Sequence, residues 1–234
     1  MQLTLDPINL NDYDTFLRVK RLPKYRVVGR SVEFPDEYAH LVGVHADAKR
    51  DTDYKHLPGL FDYQRDIAAM AIRKGKFAVF ADCGLGKTLI LLEFARHCRN
   101  VLPPNKHVLI VSPLMVVSQT IAEAQRFYGD SLPLVRVPAA RLADSIKSAA
   151  GQVLITNYDA LDDSTPQGNI GALILDESSM LKSHYGKWGM TCLRLGKGLD
   201  WKLACTGTPA PNDRIEYANH AVLLDAFPTV NSFL

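Results

Sequence analysis

From residue 77 onward the chain is punctuated by five short apolar runs, each closed by turn residues: Phe77–Ala81, Val108–Ser112, Gln152–Thr156, Ala172–Asp176 and Lys202–Thr206. Near-continuous rather than alternating hydrophobicity predicts strands covered on both faces. Between them lie stretches with helical spacing, Thr88–Arg99, Val116–Tyr128 and Arg141–Ala149, and Asp62–Arg73 precedes the first run. Strand alternating with helix predicts an α/β fold with a mostly parallel sheet sandwiched by helices and ligands at the carboxyl ends of the strands. The opening part is less regular. Pro7, Pro23 and Pro35 cut it into short pieces with strand character, and the change of pattern within Asp51–Gly59 predicts a β-rich extension over 1–56 and a main domain over 57–234. Neither an internal repeat nor a low-complexity tract is visible.

Composition narrows the classes without choosing among them. Apolar residues make up 47% and charged residues 22%, as in ordinary soluble globular proteins, which excludes a disordered or fibrous chain. The net charge of +2 leaves no whole-chain footprint for nucleic acid, so such a partner must be argued from local features. One candidate is Arg18–Arg30, which holds Arg18, Lys20, Arg21, Lys24, Arg26 and Arg30 and no acidic residue. That composition suits a hairpin facing phosphate and equally a solvated strand face. Cys83, Cys98, Cys192 and Cys205 are widely spaced, with no C-x-x-C pair for zinc or thiol exchange, and are expected to be reduced thiols. The start of the chain has no basic, then apolar, leader, and no apolar run is long enough for a bilayer; the expectation is a cytoplasmic protein with no membrane partner.

The strongest chemical signal closes the first run. Ala81-Asp82-Cys83-Gly84-Leu85-Gly86-Lys87-Thr88 follows an apolar strand and opens a helix, the setting a phosphate loop requires. Gly84 and Gly86 let the backbone curl until successive N–H groups point inward, and the following helix adds its positive end, so a polyphosphate is held by amides. Lys87 supplies a charge to the β- and γ-phosphates and is expected to face solvent without nucleotide, while the Thr88 hydroxyl is a ligand for Mg2+. By average residue usage Gly-x-Gly-Lys-Thr arises by chance in roughly one such chain in a hundred. Ala81 stands where the usual pattern has Gly and still leaves room for a tight turn. Cys83 reads as a tolerated loop residue.

Asp176-Glu177 ends the fourth run, so two carboxylates sit at a strand's carboxyl end, where a parallel sheet brings them beside the phosphate loop. Their tasks differ: Asp176 holds the metal, and Glu177 orients and deprotonates the water that attacks the γ-phosphate. An acidic pair after a strand is also a common solvated turn.

Together these residues resemble a known family. Gly84-Leu85-Gly86-Lys87-Thr88 looks like motif I, Asp176-Glu177-Ser178-Ser179 like motif II, and Thr206-Gly207-Thr208-Pro209 like motif III of superfamily 2 helicases. The nearest likeness is to the Swi/Snf-type translocases, whose motif III is followed by Asn, as Asn212 follows Pro209 here. The resemblance covers about 57–224 and implies a RecA-like P-loop NTPase lobe that uses ATP with Mg2+, with Thr206, Gly207 and Thr208 coupling hydrolysis to movement. Tyr63-Gln64 resembles the Q-motif, whose amide reads the adenine edge through one donor and one acceptor; the other reading of Gln64 is a polar residue on the outer face of its helix. Ser112-Pro113-Leu114 resembles motif Ia, and Thr156-Asn157-Tyr158 a later segment; in the family both track a nucleic-acid backbone. Ser112 and Thr156 equally suit helix caps. Lys182 also fits a family position.

The resemblance implies duplex DNA rather than RNA as partner, and a second RecA-like lobe, in cis or in trans, because nothing resembling motifs IV to VI appears. Motif II ends Ser178-Ser179 where many relatives carry Ala-His, so the link from hydrolysis to motif III is expected to use no imidazole here. The favoured reading is the ATP-binding lobe of a DNA translocase or helicase. A non-catalytic ATP-sensing module that docks a partner is the rival, and a simple kinase leaves Thr206–Pro209 unexplained.

Overall fold

A strand with apolar residues on both faces is satisfied only between two layers, and the fold follows from that requirement. The computed structural model describes residues 2–34, 36–44, 54–181, 186–210, 216–227 and 229–230. It divides into two compact units, Met1–Asp51 and Thr52–Leu234.

In the smaller unit, β1 (Gln2–Thr4), helix α1 (Leu10–Val19), β2 (Arg26–Val28) and β3 (Ser31–Glu33) form an antiparallel sheet of order β1-β3-β2 with one helix. The Asn9 side chain caps α1 by accepting from the Asn11 N–H at 2.9 Å. Val19, Leu22, Val32, Phe34, Ala39 and Val42 make its core. The basic stretch is therefore not one hairpin: Arg18 lies in the last turn of α1, paired with Asp14 at 2.6 Å, and only Arg26–Val28 is strand, turning at Gly29 (φ +59°) into β3.

The larger unit contains α2 (Asp62–Lys74), β4 (Lys76–Phe80), α3 (Lys87–Val101), β5 (His107–Ser112), α4 (Leu114–Tyr128), β6 (Leu134–Arg136), α5 (Ala139–Lys147), β7 (Val153–Asn157), β8 (Ile170–Asp176), α6 (Lys187–Gly196), β9 (Trp201–Thr206) and α7 (Tyr217–Leu223). Its six strands are all parallel, in the order β4-β9-β8-β5-β7-β6. Successive side chains alternate between faces. Val108 and Ile110 of β5 enter a core with α2, α3 and α4, while Leu109 and Val111 enter the opposite core with α5, α6 and α7.

The five predicted strands and four predicted helices are all present, each shifted by at most a few residues. Sequence reading missed β6, a three-residue edge strand between Pro133 and Pro138 that pairs only with β7, and it missed α1, α6 and α7. Helix α6 turns Gly189, Thr191 and Gly196 inward, residues of weak helix propensity that earn their place by close packing. The larger unit takes in residues ahead of Leu57. Tyr54 donates to the buried Glu93 carboxylate, which pairs with Arg96 at 2.8 Å, and Arg96 in turn donates to the Lys55 carbonyl at 2.6 Å. Residues 54–57 are thereby fastened to α3. No helix among the described residues is long and apolar enough to cross a membrane.

Gly151, at φ +53°, precedes β7 with no room for a side chain: an added Cβ would lie 1.9 Å from the Pro104 carbonyl oxygen. Gly151→Ala combines left-handed strain with a backbone clash and should cost at least about 2 kcal/mol, read as a lower urea midpoint at unchanged m-value.

Candidate active site

The order of the sheet assembles the site. Because β9 lies between β4 and β8, the segments leaving their carboxyl ends are neighbours: the loop 81–86, Thr206–Pro209, and Asp176-Glu177. Phe80 stands beside Thr206, and Asp176 beside Cys205.

The loop begins with the Ala81 N–H donating to the Thr206 carbonyl at 3.1 Å. Gly84 (φ +82°) and Gly86 (φ +65°) take left-handed backbone, and Gly86 directly precedes α3. Asp82 and Cys83 are exposed, and Thr88 is half-buried in the first turn of α3. Lys87 is half-buried, and its ammonium donates to the carbonyls of Ala81 (2.8 Å) and Asp82 (3.0 Å), two acceptors at once for one cation.

Gln64 is not on the outer face of its helix, being only 2% exposed. Its Oε1 accepts from the Phe61 N–H at 3.1 Å, and its Nε2 donates to the Leu85 carbonyl at 3.4 Å, where the Tyr63 hydroxyl also donates at 3.2 Å. Both residues of the Tyr63-Gln64 pair thus hold the loop. Gly86 is needed there, since a Cβ would fall 2.1 Å from Gln64 Nε2.

The two carboxylates differ in setting. Asp176 is buried, accepts from the Ser112 hydroxyl at 2.9 Å, and its own carbonyl accepts from the Tyr158 hydroxyl at 2.8 Å. Burial pushes its carboxyl above the ordinary value; the Ser112 hydrogen bond opposes this, Glu177 adds to it, and the nearby Lys87 ammonium lowers it. Glu177 has φ +50°, a left-handed conformation costly for a residue with a Cβ. Its Oε1 accepts from Thr206 Oγ1 at 2.5 Å and Ser179 Oγ at 2.6 Å, while Thr206 Oγ1 accepts from the Thr208 N–H at 3.1 Å. Motifs II and III are therefore joined through hydroxyls. Gly207 lies against the loop, its absent Cβ 3.3 Å from the Ala81 carbonyl oxygen and 3.7 Å from Lys87 Nζ.

A family model described as the SNF2-related domain matches residues 63–227. The chain belongs to the SNF2-related domain family. Among solved structures it is similar to the Sulfolobus solfataricus SWI2/SNF2 ATPase core in complex with dsDNA, with a TM-score of 0.63 and 20% identity over 78% of this chain. That likeness is one of fold and makes the larger unit RecA-like. The chain spans 39% of that protein's chain. Comparison with curated proteins finds no match.

In this SNF2-related domain the hydroxyls of the two segments expected to track nucleic acid are turned into the fold. The Ser112 hydroxyl is spent on Asp176, and the Thr156 hydroxyl donates to the Val137 carbonyl at 2.8 Å; both residues are buried. Neither caps a helix. The residue before α4 is Pro113, and that before the turn Tyr158–Ala160 is Asn157, with no side-chain cap at either. Lys182 and Asn212 lie outside the described residues. All four cysteines are free, Cys83 alone among them exposed. Sequence reasoning missed the support Ser112 and Tyr158 give Asp176; the available signal was hydroxyl residues at the carboxyl ends of strands close to β8.

An Asp whose folded pKa is raised favours its protonated form in the fold, so its ionisation at neutral pH burdens stability, and the burden lifts as pH falls through the folded value. Asp176→Asn should therefore raise the Tm of the nucleotide-free protein at pH 7 by a few degrees. The gain should disappear in acid, where the wild-type carboxyl is protonated too. Thermal melts across pH check this, and an unchanged or lower Tm at pH 7 would show the charge to be fully compensated.

Proposed function

We propose that this chain is the ATP-binding lobe of an ATP-dependent DNA translocase or helicase, which hydrolyses ATP to move on or remodel DNA when paired with a second RecA-like lobe. The observation that carries the reading is the convergence of Lys87, Asp176, Glu177 and Thr206 at the ends of three adjacent strands. Membership of the family and the fold of the archaeal DNA-bound core support it.

The backbone of 81–86 and the first turn of α3 receive the phosphates, and Lys87 exchanges its two carbonyl acceptors for phosphate oxygens. Thr88 and Asp176 offer a hydroxyl and a carboxylate, the hard oxygen donors Mg2+ takes together with phosphate and water. When bound, the metal supplies charge neutralisation at the transferring phosphoryl. Glu177 orients the attacking water and accepts its proton. Thr206 and Thr208 carry the state of Glu177 into the loop that leaves β9. Gln64 selects adenine by exchanging its Phe61 and Leu85 partners for the base edge, as Lys87 exchanges its own for phosphate.

Duplex DNA is gripped by its phosphates at the segments after β5 and β7. With the Ser112 and Thr156 hydroxyls spent inside, the donors are the unsatisfied amides of the first turn of α4, at the exposed Leu114 and Met115, and the side chain of Asn157. The second lobe contributes arginine to the γ-phosphate, a contribution worth roughly 10³ to 10⁵ in rate.

Lys87→Ala should abolish Mg-ATP binding in a calorimetric titration while leaving the fold intact. Glu177→Gln should bind Mg-ATP like the wild type yet lose turnover by about 10² or more. Gln64→Ala should erode the preference for ATP over GTP. Phosphate release by the chain alone should be slow and little stimulated by duplex DNA, rising when a second lobe is added. Normal hydrolysis by Glu177→Gln would place the base elsewhere, and undiminished binding by Lys87→Ala would remove the nucleotide site.

A further inference from the structure

Two adjacent side chains of α7 reach into the 3-10 turn that follows the acidic pair, Ser178–Leu181. His220 Nε2 lies 2.9 Å from Ser178 Oγ, and Asn219 Nδ2 donates to the Leu181 carbonyl, so both ends of the turn are held. Ser178, Leu181, Asn219 and His220 are all buried, His220 only 2% exposed. The other imidazole nitrogen, Nδ1, faces the Glu216 carbonyl at 3.4 Å. A carbonyl only accepts, so in the tautomer protonated at Nδ1 the ring donates to Glu216 and Nε2 accepts from the Ser178 hydroxyl. Phe80, the last residue of β4, packs edge-on against the same ring, with centroids 5.4 Å apart and planes at 90°. One imidazole thus touches both the strand that feeds the phosphate loop and the turn that carries Glu177.

We propose that His220 is a positioning residue for Glu177: from the helix after motif III it supplies the imidazole that motif II lacks, and acts through the Ser178 hydroxyl. This rests on the reading of Glu177 as the group that orients water. A left-handed Glu persists only where its surroundings over-determine it. Inside the turn the Glu177 carbonyl accepts from the Met180 N–H at 3.1 Å; outside it, α7 is the element that fastens the turn by side chains at both ends. The helix is itself anchored from β9. The buried Lys202 donates to the Leu223 carbonyl at 2.7 Å, at the end of α7, and to Asp225 at 2.9 Å. Strand β9 therefore reaches Glu177 twice, directly through Thr206 and indirectly through Lys202, α7 and His220. An apolar residue at 220 would fill the space but strand the Ser178 hydroxyl without an acceptor.

The test compares wild type, Ser178→Ala, His220→Leu, His220→Gln and the double variant Ser178→Ala/His220→Leu. Three quantities are measured: the Mg-ATP Kd, the single-turnover rate of hydrolysis with a second RecA-like lobe added, and the urea midpoint. Leu at 220 should slow hydrolysis about tenfold with Kd within about twofold, as befits loss of an interaction that acts on the reacting water. Gln, whose amide oxygen reaches the place of Nε2, should restore most of the rate. The double variant should be no slower than His220→Leu, because the two groups act as one unit. A wild-type rate for His220→Leu overturns the inference. So does a loss of rate that Gln does not restore, or one matched by an equal loss of ATP affinity, either of which marks His220 as a packing residue. The functional reading fails separately, and takes the inference with it, if wild type binds and hydrolyses Mg-ATP no better than Lys87→Ala. If Glu177→Gln turns over normally while His220→Leu is slow, His220 acts on some other group and the inference is equally lost.

Discussion

Strand β9, the last strand among the described residues, lies between β4 and β8, and nearly everything at the site depends on that placement. Parallel pairing on both sides fixes its register: Thr206 must lie beside Phe80, and Cys205 beside Asp176. The loop after β9 then has one place to go, between the phosphate loop and the acidic pair, with Gly207 against the Ala81 carbonyl because nothing larger than a hydrogen fits comfortably. Since β9 pairs with strands about 30 and 125 residues earlier in the chain, these are non-local contacts whose loop-closure entropy must be met before they stabilise anything. Two fully buried cores, one on each side of the sheet, supply that stabilisation.

The same sheet explains what was legible in the sequence. Strands buried on both faces have to be apolar throughout, so Val108–Val111 and Leu173–Leu175 announce themselves, and a loop of Gly84, Gly86, Lys87 and Thr88 carries its chemistry in its spelling. Local motifs encode local geometry. Spatial order is another matter: no run of residues states that β9 passes between β4 and β8, and so none states that Ser112 reaches Asp176 or that Gln64 lies beneath Leu85. The cap reading of Ser112 and Thr156 fails for that reason. A hydroxyl before a helix suggests a cap, yet a strand's last residue lies beside its neighbours in the sheet, and there the hydroxyls find a carboxylate and a carbonyl. The short α7 was invisible because its seven residues, Tyr217–Leu223, are held in place by contacts rather than by propensity.

Polar groups at the site are buried in ways that a purely stabilising sequence would avoid. Asp176 is desolvated, Glu177 is left-handed, and Lys202 is sealed beneath the end of α7. Each is compensated by named partners, Ser112 and Tyr158 for Asp176, Thr206 and Ser179 for Glu177, Leu223 and Asp225 for Lys202. Pre-set charge and strain of this kind belong to sites built for chemistry, where groups are held where the reaction needs them before substrate arrives.

Lys87 gives that preparation a thermodynamic form. Its ammonium is coordinated by the Ala81 and Asp82 carbonyls, so the loop is braced from within. On the reading proposed above, binding a polyphosphate is an exchange of partners, in which the enthalpy of new phosphate contacts is reduced by that of the carbonyl contacts given up, while little conformational entropy remains to be lost. The lysine is then a latch held shut by two neutral carbonyl dipoles, which only a ligand bringing full negative charge to the loop would open.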